Sequence, residues 1–189
     1  MKIRSLIGAA LVLVSAAVVA SAQAPPAAPA QPAAPVAPAK PAFDVKVVAS
    51  PALHVIALPM KGSYMQHPDA FGRLMSAVSS KGIAPAGPIF ARYFSDPTTL
   101  EADLVWEVAV PVPAGATADA PFEVKDVPAA QIAVHTFDGP MEELASAWPA
   151  FIQWILSNGY QPAGPPTQVF KGDMTAGAPQ VEMQMPVSK

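Results

Sequence analysis

A chain of 189 residues without a single cysteine can build neither a disulfide framework nor a thiolate metal centre. Its 11 basic residues stand against 14 acidic ones and nowhere gather into the cationic face that nucleic-acid binding requires. A nucleic-acid partner is therefore not expected.

Lys2 and Arg4 precede an apolar run from Leu6 to Ala20 that closes on Ala20-Ser21-Ala22, the pattern of a cleavable export signal over residues 1–22. Pro25 disfavours a cut after Ala24. The run is shorter than the roughly 18 apolar residues of a membrane anchor, and without cysteine a lipoprotein anchor is excluded. The expected product is periplasmic, with no stable membrane insertion after cleavage. Residues 23–42 are almost entirely Pro, Ala and Gln, which cannot bury an apolar face and predict an extended tether. Loss of Lys2 and Arg4 leaves 9 basic against 14 acidic residues, a net charge of 9 − 14 = −5. What remains, residues 43–189, suits one domain.

Within it, residues 43–48 and 53–60 read as strands parted by Ser50-Pro51, with Pro59 marking an edge or bulge. Pro68 opens a helix whose apolar stripe is Phe71, Leu74, Met75 and Val78, and Gly82 ends it. Residues 89–94 and 104–110 are the next two strands, and 114–121 is a small, turn-rich connector. The order then repeats: strands at 122–127 and 131–137, a helix at 141–157, and strands at 167–170 and 181–187. Pro149 inside the second helix predicts a kink or a break into two pieces.

The repetition is visible in the residues themselves. Gly82-Ile83-Ala84-Pro85-Ala86-Gly87-Pro88 returns as Gly159-Tyr160-Gln161-Pro162-Ala163-Gly164-Pro165, five of seven positions identical at an offset of 159 − 82 = 77. Phe43-Asp44-Val45-Lys46 matches Phe122-Glu123-Val124-Lys125 with two residues of slippage, and Glu107 and Glu182 each stand four residues before a Pro-Val pair. The expected fold is α+β: two pseudo-twofold-related βαββ repeats, 43–113 and 122–189, packed side by side around a central cleft.

Strand alternation places Glu107 on the face opposite Trp106, Val108 and Val110, and Glu182 opposite Val181, Met183 and Met185. If that face lines the cleft, the two carboxylates are anchors for a cation or a hydrogen-bond donor; if it is open to water, they are ordinary surface groups. Tyr93 and its counterpart Phe170 precede the Glu strands, and Tyr93 is expected across a hairpin from Glu107. Trp148 follows the core stripe of the second helix. His54 and His135 fall in equivalent strands and would approach one another, but no metal-ligand spacing, Gly-x-Ser-x-Gly elbow or phosphate-cradling loop is present, so no metal or cofactor is expected.

The helix–Gly-x-x-Pro-Ala-Gly-Pro turn, the strand ending Arg92-Tyr93-Phe94-Ser95-Asp96-Pro97 and the later strand with Glu before Pro-Val together resemble the effector-binding domain of AraC-type regulators, the GyrI-like small-molecule-binding domain. The resemblance covers residues 43–189 and implies an SHS2-like duplicated fold, with a cleft Glu at Glu182 and aromatic neighbours such as Tyr93. Phe170 departs from the pattern by lacking a hydroxyl, and an exported copy on a Pro/Ala tether is not expected to act on transcription directly. The expected function is binding of a small amphipathic or cationic aromatic molecule in the cleft between the repeats by Glu182, Glu107, Tyr93, Phe170 and Trp148. The alternatives are a hydrolase using a cleft Glu and Tyr93 to activate water, as in some relatives, and a module that binds another envelope protein.

Overall fold

A computed structural model describes residues 43–172 and 180–189; the expected signal and tether lie outside the described residues. The elements are β1 (Val45–Ser50), β2 (Leu53–Lys61), α1 (His67–Ser80), β3 (Phe90–Tyr93), β4 (Val105–Pro111), β5 (Glu123–Val127), β6 (Ala130–Phe137), α2 (Leu144–Ser157), β7 (Gln161–Pro162), β8 (Thr167–Lys171) and β9 (Gln180–Ser188). Eight strands form one antiparallel sheet in the order β1-β6-β9-β8-β3-β4-β2-β5, and β7 adds to the end of β9. No helix among the described residues is long and apolar enough to cross a membrane.

The repeat offset is structural. Both helices span 14 residues, α1 from His67 and α2 from Leu144, and 144 − 67 = 77. At the seam Ala91 pairs with Gln168, again 77 apart, so the pseudo-twofold axis runs through that pair. The repeats do not simply lie side by side, however. β1 hydrogen-bonds to β6 and β5 to β2, so the leading strand of each repeat completes the sheet of the other. Register also removes the slippage expected at these strands. Ser50 faces Ala130 and Val127 faces Leu53, giving 127 − 50 = 130 − 53 = 77. The Phe43 and Phe122 match is therefore a coincidence of composition.

The repeated heptapeptide has a mechanical reason. Gly82 and Gly159 take φ of +66° and +78°, ending each helix in the left-handed turn that glycine enters without a Cβ penalty. The amides of Ile83 and Tyr160 then reach back to Val78 and Ile155, both at 3.1 Å. Further on, the Ala86 and Ala163 amides donate to the Pro111 and Pro186 carbonyls, both at 2.7 Å. A Cβ on Gly87 or Gly164 would sit 3.2 or 3.0 Å from those proline rings. The Pro of each Glu-x-x-x-Pro-Val stretch is thus the platform on which the Ala-Gly-Pro turn rests.

Both helices cover one face of the sheet. Under α1 the core is Ile56, Leu58, Leu74, Trp106 and Val108; under α2 it is Phe151, Ile155, Val181 and Met183, all almost completely buried. The other face carries no helix, yet Val55, Ala57 and Ala109 on it are also fully buried, because the sheet curls over them. Pro59 lies beyond the stretch of β2 that β5 pairs, so its missing N–H breaks no ladder. α2 runs unbroken through Pro149, which faces solvent together with Ala145, whose carbonyl loses its helical partner.

Candidate functional site

Glu107 and Glu182 are true counterparts: Glu107 lies between Pro59 and Arg92, Glu182 between Thr136 and Val169, and 136 − 59 = 169 − 92 = 77. Both point to the helix-free face. Neither is bathed in water, with side-chain exposures of 3% and 16%. Their electrostatic surroundings differ. Glu107 is held by Arg92, whose Nη1 donates to Oε1 at 3.3 Å, and by Lys125 Nζ on Oε2. By register, the second repeat has Val169 in the place of Arg92 and Val48 in the place of Lys125. Glu182 instead takes Lys171 Nζ on Oε1 at 2.5 Å and the Gln184 amide on Oε2 at 3.0 Å. Among the described residues Lys171 is its sole cationic partner, and that side chain is 44% exposed.

Glu182 also borders a large concavity. An open groove of about 1150 Å³ runs over β1, β6 and β9 and past the start of β1 to the first turns of α2. Its sheet wall is Lys46, Val48, Ile132, Val134 and Thr136, with Gln184 beside the carboxylate. The groove lies over β1, β6 and β9, away from the pseudo-twofold axis, where β3 and β8 are hydrogen-bonded to one another.

Tyr93, Phe170 and Trp148 are on the opposite side of the sheet. Tyr93 pairs with Trp106, and it is Arg92 that faces Glu107, so the expected Tyr93–Glu107 meeting does not occur. One residue of register decides the face. The Tyr93 hydroxyl donates to Gln168 Oε1 at 2.7 Å and accepts from His67 Nε2 at 3.0 Å. Burial, aided by Tyr64, pushes the phenol well above its ordinary pKa of 10, so it remains a donor. Tyr64 and Trp106 close the cluster, with ring centroids 6.0 and 4.5 Å from His67. Phe170 packs edge-on against Phe71, and Trp148 against Phe151. The sheet therefore divides the five expected ligand residues into two carboxylates and three aromatics that cannot share one small ligand.

His67 and Gln168 escaped the sequence reading, although each left a trace. Gln168 is a polar residue in register with an otherwise apolar strand face, and His67 stands just ahead of the helix-opening Pro68. His54 and His135 do not meet: β9, β8, β3 and β4 lie between their strands, and His54 corresponds to Gln131 (131 − 54 = 77). His54 Nδ1 contacts Asp126 at 2.8 Å, whereas His135 Nδ1 donates to the Asp44 carbonyl at 2.8 Å. Among the described residues no group of three or more His, Cys, Asp or Glu could hold a metal.

Burial lowers the His67 pKa from its ordinary 6.5, and a backbone hydrogen bond at Tyr64 offsets part of that effect. The depressed value has a definite sign in stability. As pH falls below about 6.5 the unfolded chain takes up a proton that folded His67 refuses, so His67 contributes a loss of stability that continues down to its folded pKa. A His67→Gln variant should lose less stability than the parent between about pH 7 and pH 5 in urea melts; parallel losses would contradict this.

No functionally curated protein is matched by the sequence. Among solved structures, the EcmrR C-terminal domain superposes with a TM-score of 0.68 at 18% identity, covering 78% of this chain and 98% of that one. A hydrolase from Listeria innocua gives 0.56 at 14% identity, covering 79% and 94%, and SAV2435 bound to tetraphenylphosphonium gives 0.52 at 11%, covering 77% and 94%. These likenesses show the fold. The family model described as the GyrI-like small molecule binding domain matches residues 43–187, and the chain belongs to that family.

Proposed function

We propose that the groove over β1, β6 and β9 binds a small amphipathic cation with Glu182 as its polar anchor. The observation that carries this reading is the setting of Glu182: a mostly buried carboxylate in a groove whose sheet wall carries Val48, Ile132 and Val134 beside Lys46, paired to one half-exposed ammonium. Apolar side chains around a placed charged group suit a small amphipathic ion. Glu107 has no such freedom, since two cations already hold it at the buried centre of the same face. It serves the fold. A hydrolytic role that joins a Glu to Tyr93 lacks support, because the sheet separates them. Residues 1–22 as an export signal and 23–42 as a tether complete the reading and would present this domain in the periplasm.

Tetraphenylphosphonium, the compound bound to SAV2435, is a suitable probe. It should raise the melting temperature of the protein, and Glu182→Gln should weaken its binding by roughly tenfold or more, the scale of losing one partner of a desolvated charge pair. Tyr93→Phe should bind as the parent does. Equal binding by parent and Glu182→Gln would sink the assignment of the anchor.

A further inference from the structure

We infer that Lys171 is a built-in competitor for the ligand: a tethered ammonium that holds the Glu182 carboxylate beside the groove and must swing out before an outside cation can take its place. The inference rests on the binding role proposed for Glu182 and adds a residue that sets which ligands succeed.

Comparison of the two repeats carries the argument. At Glu107 the counter-charges come from Arg92, directly opposite on the neighbouring strand, and from Lys125, and both are substantially sheltered with the carboxylate. Releasing that carboxylate would leave a charge with 3% exposure unpaired, which is strongly unfavourable. In the second repeat both positions are valines, Val169 and Val48, and Val48 lines the groove. The replacement cation comes from Lys171, which lies diagonally across the β8–β9 pair from Glu182, the geometry in which a long side chain can still reach. By the 77-residue offset Lys171 takes the place of Phe94 (171 − 77 = 94), so this cation has no equivalent in the first repeat.

Lys171 stands at the end of β8, its side chain 44% exposed, while the carboxylate it touches is 16% exposed. The ammonium therefore has water within reach and recovers its hydration by rotating about its own side-chain bonds. The carboxylate does not. Gln184 remains on Oε2 throughout and keeps the carboxylate oriented. Binding then becomes an exchange of one cation for another at constant charge in the groove. A neutral molecule of the same shape gains nothing from the exchange, because it would leave the Lys171–Glu182 pair in place or break it without replacement. An anion would find the carboxylate opposed to it. The exchange thus selects for permanent cations with an apolar body.

The test measures tetraphenylphosphonium and a neutral arylphosphine oxide of similar shape, by calorimetry, on the parent, Lys171→Gln, Glu182→Gln and the double variant. Removal of the competitor should tighten phosphonium binding roughly fivefold, the range of a half-exposed ion pair, and leave the oxide unchanged. The double variant should show no gain over Glu182→Gln alone. A structural disturbance weakens binding, so a gain confined to the cation identifies competition. If the parent binds the phosphonium and Lys171→Gln binds it no better, Lys171 is no competitor, while the Glu182 site stands. If Lys171→Gln tightens both probes alike, the side chain acts as a steric gate and the inference falls. If no variant binds the phosphonium above background, the proposed function fails and takes this inference with it.

Discussion

A protein carrying Arg92→Met together with Lys125→Met will be about 3 kcal/mol less stable than its parent, whereas either single variant will lose about 1 kcal/mol or less. Glu107 has only 3% side-chain exposure, and the two cations sit on separate oxygens. Removing one leaves the charge still paired. Removing both strands a carboxylate among Val55, Ala57 and Ala109, where water cannot solvate it. Adding Glu107→Met to the double variant removes the stranded charge and should recover most of the loss, since apolar groups of similar size replace buried ion pairs at little cost. Urea melts of the parent and the four variants decide it. Additive single losses, or a triple variant no better than the double, would show that Glu107 is reached by water after all.

Trp106→Ala should cost about 3–5 kcal/mol, the range for deleting a large buried aromatic side chain without full collapse of the cavity. Trp106 is 1% exposed, and its Nε1 donates to the Gly62 carbonyl at 3.0 Å. It is also one wall of the His67 cluster. Water entering the vacated space would relieve the desolvation that lowers the His67 pKa, so NMR titration should find the imidazole moved back towards 6.5. Trp106→Phe keeps most of the volume and loses the donor, with an expected cost of about 1–2 kcal/mol. A Trp106→Ala protein with parental stability, or with an unmoved His67, would place the weight of this cluster elsewhere.

Much of the fold was legible because its causes are local. The apolar stripe from Phe71 to Val78 specifies a helix through a 3.6-residue period, and Gly82 ends it because only a residue without Cβ turns left-handed freely. The 77-residue offset of the Gly-x-x-Pro-Ala-Gly-Pro turn carried the duplication, and alternation alone placed Glu107 and Glu182 on the face away from the helices. The resemblance carried by these short stretches led to the family whose model covers residues 43–187.

The chain's own order of residues thus determined which segments coil, which extend, where each turns and which side chains alternate together. Only the tertiary structure decided that β1 and β5 change places between repeats, that Arg92 rather than Tyr93 faces Glu107, and that Lys171 reaches Glu182. Those outcomes depend on pairing between residues far apart in sequence, where a shift of one position reverses every face. Helical period and turn chemistry act within a few residues and can be read one segment at a time. The partner of a buried charge is chosen by whichever strand arrives beside it.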